Sequence, residues 1–241
     1  VDEGKYRALL VRNWNEQFFD DGSGNWRDNW FVDGLRSEIR NTPGGMVFAA
    51  GPVAMDHGSH SVIWTKKDFA GDIRIEFDYT RLDTITRFVN ILYIQATGRQ
   101  EGAFTEDISD WAELRTVPFM KSYFKTMELL HVSYAAFDNN DDKAEDYVRA
   151  RRYPTGADRA FTQTDVPPDY FDTGLFVTGV KYHFTFIKTD DCLFFEVKND
   201  ETRRLFGWPL GDVEPLTHGR VGIRHMCTRC SRYANVRIST L

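Results

Sequence analysis

The chain has 241 residues, of which 41% are hydrophobic and 15% aromatic, and 30 basic against 36 acidic residues give a net charge of −6. No apolar run approaches the ~18 residues that a transmembrane helix needs, so a transmembrane helix is excluded. The acidic balance argues against a nucleic-acid partner. We expect residues 1–241 to form a single domain, because one all-β domain of this length buries enough core to fold without disulfides.

Three cysteines, at positions 192, 227 and 230, give an odd count that argues against a disulfide framework. Cys227 and Cys230 have the spacing of half a zinc or redox motif, but no second pair completes it. We expect residues 221–238 to be strand, on which positions three apart point to opposite faces. Both thiols are therefore predicted to be inert.

Alternation of apolar and polar residues predicts strands along most of the chain. In residues 72–80 every second residue from Ile73 to Tyr79 is apolar, as in a half-buried strand. Residues 87–97 form a longer apolar run, typical of a strand covered on both faces. Further strands are predicted at 46–50, 60–66, 131–137, 147–153, 182–188, 192–198, 220–226 and 233–239. Many strands separated by turns indicate a sandwich or jelly roll.

Three stretches depart from the strand pattern. Residues 107–130 carry apolar side chains at helical spacing, interrupted by Pro118, and predict one or two short helices that cross one end of the sheets. Residues 138–145 are acidic and predict a solvated loop. Residues 154–174 form a long connection, and long connections inside a compact domain are often functional lids.

Two carboxylates, Glu76 and Asp78, are expected on one strand face with Cα atoms ~7 Å apart. Retaining glycosidases need carboxyl groups ~5 Å apart, and those with a concanavalin A-like fold carry Glu-x-Asp-x-x-Glu on such a strand. Arg81 occupies the third position here. The sequence therefore favours a polar strand face, offset by Arg74, over a glycosidase site.

The histidines and the oxygen-rich loops are the candidate metal ligands of the chain. The histidine spacings match no metal motif, although His60, His131 and His225 begin or end predicted strands near other polar groups. Residues 20–25 and 138–142 have the oxygen donors that calcium takes, but neither matches the full calcium-loop pattern. We therefore expect no cofactor, with a structural calcium ion as the alternative.

Arginine outnumbers lysine by 21 to 9 and is concentrated in residues 147–153. On a strand, Tyr147, Arg149, Arg151 and Tyr153 share one face. Guanidinium groups match the geometry of a carboxylate, and a phenol stacks on a ring and passes a proton. This face suits a planar anion, and ion pairs with the acids of residues 138–146 are an equal alternative.

Several blocks of the chain resemble the YesU-like proteins, a family of unknown function. The blocks are residues 60–69, 71–83, 87–98, 131–137, 147–153 and 222–226, and the similarity runs from about Phe18 to Ser239. The resemblance implies a concanavalin A-like jelly roll of two antiparallel sheets. It also implies a bacterial setting among genes that degrade uronate-containing polysaccharides. The compartment (cytoplasm or periplasm) and the state (monomer or homodimer) stay open.

That setting fits a defined chemistry. In a uronate the carboxylate acidifies the C5 proton, and removing it with loss of a group at C4 gives a 4,5-unsaturated product. An exo-lyase expels a sugar and an oligosaccharide dehydratase expels the free hydroxyl. Either needs a carboxylate neutraliser, a base and an acid. The expected partner is an acidic oligosaccharide, and the alternatives are a non-catalytic lectin-like protein or a glycoside hydrolase.

The candidate residues divide between chemistry and binding. The predicted catalytic residues, histidine as base and tyrosine as acid, are His131, His225, Tyr134 and Tyr153. The predicted binding residues are His60, Trp64, Asn90, Tyr93, Gln95, Arg149, Arg151 and Arg224. Among them Arg151, with either amide, is expected to hold the carboxylate, and the two aromatic rings are expected to stack on a sugar.

Strand parity limits this set. On a regular strand Asn90 lies opposite to Tyr93 and Gln95, and Arg224 lies opposite to His225. Not all of them can line one cleft unless a bulge intervenes.

Overall fold

The computed structural model describes residues 1–241 as fifteen strands, two α-helices and four short 3₁₀ segments. The strands are β1 (Asn15–Asp20), β2 (Trp30–Asp33), β3 (Glu38–Thr42), β4 (Gly45–Ala49), β5 (Ser61–Ala70), β6 (Ile73–Arg81), β7 (Asn90–Gly98), β8 (Met127–Ala136), β9 (Tyr147–Tyr153), β10 (Asp165–Phe171), β11 (Lys181–Lys188), β12 (Cys192–Lys198), β13 (Arg203–Pro209), β14 (His218–His225) and β15 (Cys230–Thr240). The helices are α1 (Glu3–Leu10) and α2 (Met120–Thr126), and the 3₁₀ segments are Trp26–Asp28, His57–Ser59, Ile108–Arg115 and Phe161–Thr164.

The strands form two antiparallel sheets that pack face to face. The front sheet has the order β10-β9-β8-β7-β14-β5-β2, and the back sheet has the order β13-β12-β11-β6-β15-β4-β3 with β1 also paired to β15. The predicted jelly roll of two antiparallel sheets is confirmed.

Sequence patterning located the long strands better than the short ones. Strand β9 has the predicted bounds, whereas α1, β1, β2, β3 and β13 were not predicted. The expected connection at 154–174 contains β10, which includes a Pro-Pro pair. Proline donates no ladder hydrogen bond, and β10 accordingly lies at the edge of the front sheet.

Aromatic side chains fill the core between the sheets. Phe77 and Tyr79 of β6 point inward, as the alternating pattern predicts, and belong to a cluster of 36 buried residues. Phe186 and Phe195 stack with ring centroids 4.0 Å apart. Much of the aromatic content of the chain is therefore used for packing.

Residues 99–126, called here the crossing segment, cover the outer face of the front sheet. Ile108, Trp111 and Tyr123 pack against Trp64 and Tyr93 of the sheet in a second buried cluster. The predicted helical region is thus partly confirmed: it crosses a sheet face rather than one end, and residues 127–130 belong to β8. Neither helix has the length and apolarity to span a membrane.

A buried carboxylate ties the crossing segment to the sheet. Asp33 Oδ2 accepts hydrogen bonds from Arg115 Nε at 2.7 Å, Tyr123 Oη at 2.9 Å and Trp64 Nε1 at 2.8 Å. The Asp33 and Arg115 side chains are fully buried. Breaking such a pair leaves an uncompensated buried charge, which costs roughly 3–5 kcal/mol.

Candidate functional site

The outer face of the front sheet carries the predicted Arg and Tyr residues of β9. Val148 and Ala150 point into the core between the sheets, so the alternate residues of β9 point outward. His131 on β8 is the register partner of Arg151. The predicted shared face is therefore observed, and it includes one of the two candidate bases.

His131 is held between two hydroxyl groups. Its Nδ1 lies 2.8 Å from Tyr153 Oη and its Nε2 lies 2.7 Å from Ser133 Oγ. The side chain is 2% exposed. A neutral imidazole donates through one nitrogen and accepts through the other. The Tyr153–His131–Ser133 chain can therefore pass a proton in either direction.

Electrostatics hold this pair in the protonation states that acid–base chemistry needs. Burial, with the positive charges of Arg151, Arg224 and Arg149, keeps the pKa of His131 well below its usual range. Burial raises the pKa of Tyr153 well above its usual range. At neutral pH the imidazole is an unprotonated base and the phenol keeps its proton.

Arg224 differs from the other buried arginines in having no carboxylate partner. The arginines with a carboxylate within 4 Å are Arg81, Arg115, Arg151, Arg152, Arg220 and Arg229. Arg224 is 0% exposed. Its Nη2 donates to the Pro118 carbonyl at 2.7 Å, while its Nε and Nη1 have no hydrogen-bond partner. A buried charge without a counter-ion is costly, so this position favours an incoming anion.

The surroundings of Arg224 connect it to His131. The guanidinium lies 4.7 Å from the Tyr123 ring centroid, and its charge depresses the pKa of both His131 and His60. Tyr93 lies between the two, with its ring centroid 5.8 Å from that of His131. Burial raises the pKa of Tyr93 to about 12, and the charge of Arg224 opposes that rise. One buried region therefore combines a base, an acid and an unpaired cation.

The predicted sugar-stacking rings are used by the protein itself. Trp64 stacks on Tyr93, and Tyr93 stacks on Tyr123, with centroid distances of 5.4 and 5.9 Å. Gly222 permits this ladder, because a Cβ there would lie 2.4 Å from the Trp64 ring. All three rings are buried, so they position the crossing segment and have no face open to a ligand.

The two outward-facing arginines of β9 also have ion-pair partners. Arg151 forms an ion pair with Asp165 and donates to Thr164 Oγ1 at 3.3 Å. Arg149 donates to Asp169 Oδ2 from Nε at 2.8 Å and from Nη2 at 2.5 Å. The ion-pair alternative is thus observed, with acids of β10 in place of those at 138–146. Arg151 therefore has no free guanidinium to offer an incoming carboxylate.

His60 lies beside Arg224, and sequence reasoning missed its neighbour His57. His60 Nδ1 accepts from the Cys227 backbone N–H at 3.2 Å, and its Nε2 is 3.4 Å from His57 Nδ1. Burial, Arg224 and His57 lower the pKa of His60 to about 3. The His57 ring contacts Phe119 at a centroid distance of 4.3 Å, and no sequence spacing signalled this long-range contact.

Four predicted site residues lie on the opposite, inward side of the front sheet. His225 Nε2 and Tyr134 Oη each lie 2.7 Å from Tyr233 Oη, and Asn90 Nδ2 donates to Tyr79 Oη at 3.0 Å.

The fourth residue, Gln95, follows from a bulge. Its φ is 52°, and the β7–β8 register shifts between Ile94 and Thr97. Its Nε2 donates to the Phe69 and Gly71 carbonyls at 3.2 and 2.9 Å. His225, Tyr134, Asn90 and Gln95 are therefore excluded from the candidate site.

Glu76 and Asp78 form a polar strand face, as the sequence favours. His183 Nδ1 lies 2.9 Å from Asp78 Oδ1 and His183 Nε2 lies 3.7 Å from Glu76 Oε1. Arg74 Nη2 donates to Glu76 Oε1 at 2.6 Å. Their neighbours Ile75 and Phe77 point into the core, so these carboxylates lie on the outer face of the back sheet, away from His131.

The cysteines and the first oxygen-rich loop are explained by local structure. Residues 226–229 form a turn, not the expected strand, and all three cysteines are free thiols. Asp20 accepts from the Trp30 indole at 2.7 Å and from the Gly22 N–H at 2.8 Å, as a turn residue does. No group of three or more His, Cys, Asp or Glu side chains is arranged to hold a metal ion.

Comparison with solved structures defines the class of fold. No family model and no curated protein sequence matches the chain. A protein of unknown function with a galectin-like fold from Bacillus subtilis is 17% identical with a TM-score of 0.70, covering 94% of this chain and 96% of that one. The chain therefore has a galectin-like jelly-roll fold.

More distant structural neighbours are lectin domains. The exoplasmic/lumenal domain of VIP36, in its Ca²⁺/Man₃GlcNAc-bound form, is 8% identical with a TM-score of 0.60, over 94% of this chain and 90% of that one. A legume lectin-like domain from Entamoeba histolytica is 7% identical with a TM-score of 0.57, over 93% and 97%. At these identities the similarity establishes the fold alone.

Proposed function

We propose that this protein binds uronate-containing oligosaccharides and forms a 4,5-unsaturated uronate by removing the C5 proton and eliminating the group at C4. One observation carries the proposal: Arg224 is fully buried, has no carboxylate partner and lies on the same sheet face as His131, where its charge lowers the pKa of that histidine. The resemblance to YesU-like proteins and the lectin folds of the structural neighbours support a saccharide ligand.

Arg224 is suited to neutralising the substrate carboxylate. Its Nε and Nη1 have no hydrogen-bond partner, and each can donate a charge-assisted hydrogen bond to a carboxylate oxygen. Neutralising the carboxylate stabilises the negative charge that develops when the adjacent C5 proton leaves. Arg149 and Arg151 are already paired with Asp169 and Asp165.

His131 and Tyr153 supply the two proton transfers. The imidazole accepts the C5 proton, the C4–O bond breaks, and the leaving oxygen takes the phenolic proton of Tyr153. The leaving group departs as water in a dehydratase, or as the hydroxyl of a sugar in a lyase. The His131 Nδ1–Tyr153 Oη hydrogen bond of 2.8 Å then returns the proton from imidazolium to phenolate, which restores both groups.

Binding of the anion also tunes the base. Arg224 is one of three cations that depress the pKa of His131. A carboxylate on Arg224 offsets that charge and raises the basicity of the imidazole. The base becomes stronger when the substrate is in place.

Access to this region requires movement of its cover. Arg224 and His131 are buried, and the Pro118 carbonyl and the Tyr123 ring lie against Arg224. The surrounding Met120, Phe124, Phe161 and Met226 are partly exposed. A sugar therefore reaches the base when residues 118–124 move away from the sheet.

The second candidate is a lectin-like protein without chemistry. The lectin folds of its structural neighbours favour this alternative, and a binding protein needs no acid–base pair. The hydrolase alternative lacks support, because Glu76 and Asp78 lie on the other sheet and bind His183.

One assay separates these activities. The protein is incubated with oligosaccharides that end in glucuronate, iduronate or galacturonate, and products are followed by ultraviolet absorbance and mass spectrometry. Loss of one water from an intact oligosaccharide identifies a dehydratase, and cleavage with new absorbance identifies a lyase. Cleavage without absorbance identifies a hydrolase. Binding with no product contradicts every catalytic alternative.

A further inference from the structure

A cavity of about 320 Å³ opens at the Tyr147 end of β9. Tyr147, Arg149 and Phe171 line its walls, and residues 138–145 contribute its rim. This volume is within the range of small-molecule sites. His131, Tyr153 and Arg224 do not line it, so it is a compartment separate from the acid–base pair.

The cavity lies next to the candidate site along β9. Alternate residues of a strand are ~7 Å apart and point to the same side. Arg149 is the register partner of Ser133, and Ser133 is hydrogen-bonded to His131. The cavity wall therefore begins one such step from the His131 row. A ligand extended along β9 from His131 would reach this cavity.

The cavity has the chemistry of a sugar subsite. Phe171 is 53% exposed on the edge strand β10, and its ring centroid lies 6.3 Å from that of Tyr147. An exposed aromatic ring offers a surface for the C–H face of a pyranose.

The rim supplies polar groups suited to hydroxyls. Arg87 Nη2 donates to the backbone carbonyls of Asn139 and Asn140, so their side-chain amides take no part in that contact. Asp138 and Lys143 complete the rim with a carboxylate and an ammonium group. Amide, carboxylate and ammonium groups provide both donors and acceptors for sugar hydroxyls.

We propose that this cavity binds the sugar unit that follows the terminal uronate, with Phe171 as its stacking ring. The inference rests on the proposed function and names its substrate class: oligosaccharides rather than free uronic acids. The aromatic surface that the buried Trp64 and Tyr93 cannot offer is supplied here.

The test measures how affinity depends on chain length. Calorimetry gives the Kd of galacturonate, glucuronate and iduronate, and of a tetrasaccharide ending in each, for the wild type and Phe171→Ala. We expect the wild type to bind a tetrasaccharide more tightly than its monosaccharide. Phe171→Ala should weaken tetrasaccharide binding about tenfold and leave monosaccharide binding unchanged. Phe19→Ala is the matched control, since Phe19 is 46% exposed on the back sheet.

Each result bears on one part of the inference. Equal losses for both ligand lengths in Phe171→Ala, or no loss, overturn the subsite. Length-independent affinity in the wild type overturns the subsite alone, and no binding of any uronate overturns both proposals. Because product formation is measured separately, tetrasaccharide binding that depends on Phe171 without any product supports the subsite while the proposed reaction fails.

Discussion

The front sheet carries, on each of its faces, a histidine that is hydrogen-bonded to a tyrosine. On the outer face His131 is hydrogen-bonded to Tyr153, and on the inner face His225 is hydrogen-bonded to Tyr233. Both imidazoles are buried, and burial lowers the pKa of both. The hydrogen bond alone therefore does not distinguish a catalytic pair from a structural one.

The surroundings of the two pairs do distinguish them. His225 stacks on Phe48 at a centroid distance of 4.4 Å, within the aromatic core. His131 lies instead among three arginines, one of which, Arg224, lacks a counter-ion. An anion gains from the charge beside His131, whereas the core around His225 admits none. The unpaired cation, not the histidine, is therefore the feature that distinguishes the candidate site from the core.

Separate substitutions of the two histidines test this comparison most directly. His131→Ala should lower kcat by about 10²–10⁴-fold, because it removes the general base, and the fold should be retained. His225→Phe keeps the stacking on Phe48 and loses one buried hydrogen bond, so it should cost about 1 kcal/mol of stability with little change in kcat. Turnover of unsaturated product and urea denaturation measure the two effects. Full activity in His131→Ala would remove it from the mechanism.

Two fully buried arginines test the role of the missing counter-ion. Arg115→Met leaves Asp33 buried without its cation and should cost roughly 3–5 kcal/mol. Arg224→Met removes an unpaired charge and should leave the melting temperature unchanged or higher. It should also weaken uronate binding about 10- to 100-fold. Calorimetry with a uronate and its neutral methyl ester provides the check, since only the wild type should prefer the acid.

Equal binding of acid and ester by the wild type would contradict the carboxylate role of Arg224. A large loss of stability in Arg224→Met would show that its contacts with Pro118 and Tyr123 are mainly structural.

Sequence reasoning predicted the faces of the strands but not the pairing of their charges. The period-two rule placed Tyr153 with Arg151, and Arg224 opposite His225, because regular strands obey it. It failed at Gln95, where a bulge reverses the side-chain direction. Whether an arginine has a free guanidinium depends on residues distant in the chain, such as Asp165 for Arg151 and Pro118 for Arg224. No local pattern contains that information.

Acid should destabilise the fold through the buried histidines. The pKa of His225 is lowered to about 3 by burial, so the unfolded chain binds a proton first as pH falls. Its contribution is present above about pH 6.5 and is lost by about 1.4 kcal/mol per pH unit below it. His225→Phe should therefore lose about 2 kcal/mol less stability than wild type between pH 7 and 5. An equal loss of unfolding free energy in the two proteins between pH 7 and pH 5 would contradict this.

The contact of His183 with two carboxylates on the back sheet should show the opposite pH dependence and the smallest effect. The carboxylates of Asp78 and Glu76, which accept hydrogen bonds from the protonated imidazole, raise the pKa of His183 to about 9, so the folded chain holds its proton longer than the unfolded one. The stabilisation is complete below about pH 6.5 and is lost as pH rises through about 9.

Its magnitude is limited because the His183 side chain is 35% exposed, and water and salt screen such pairs. Comparing urea midpoints of wild type and His183→Gln at pH 7 and 10 isolates the effect from other titrating groups. We expect the gap between the two proteins to narrow at pH 10, and also in 1 M salt at pH 7. A gap that stays constant in both conditions would mean that His183 contributes through packing, because only a charge-dependent contact responds to proton loss and to screening.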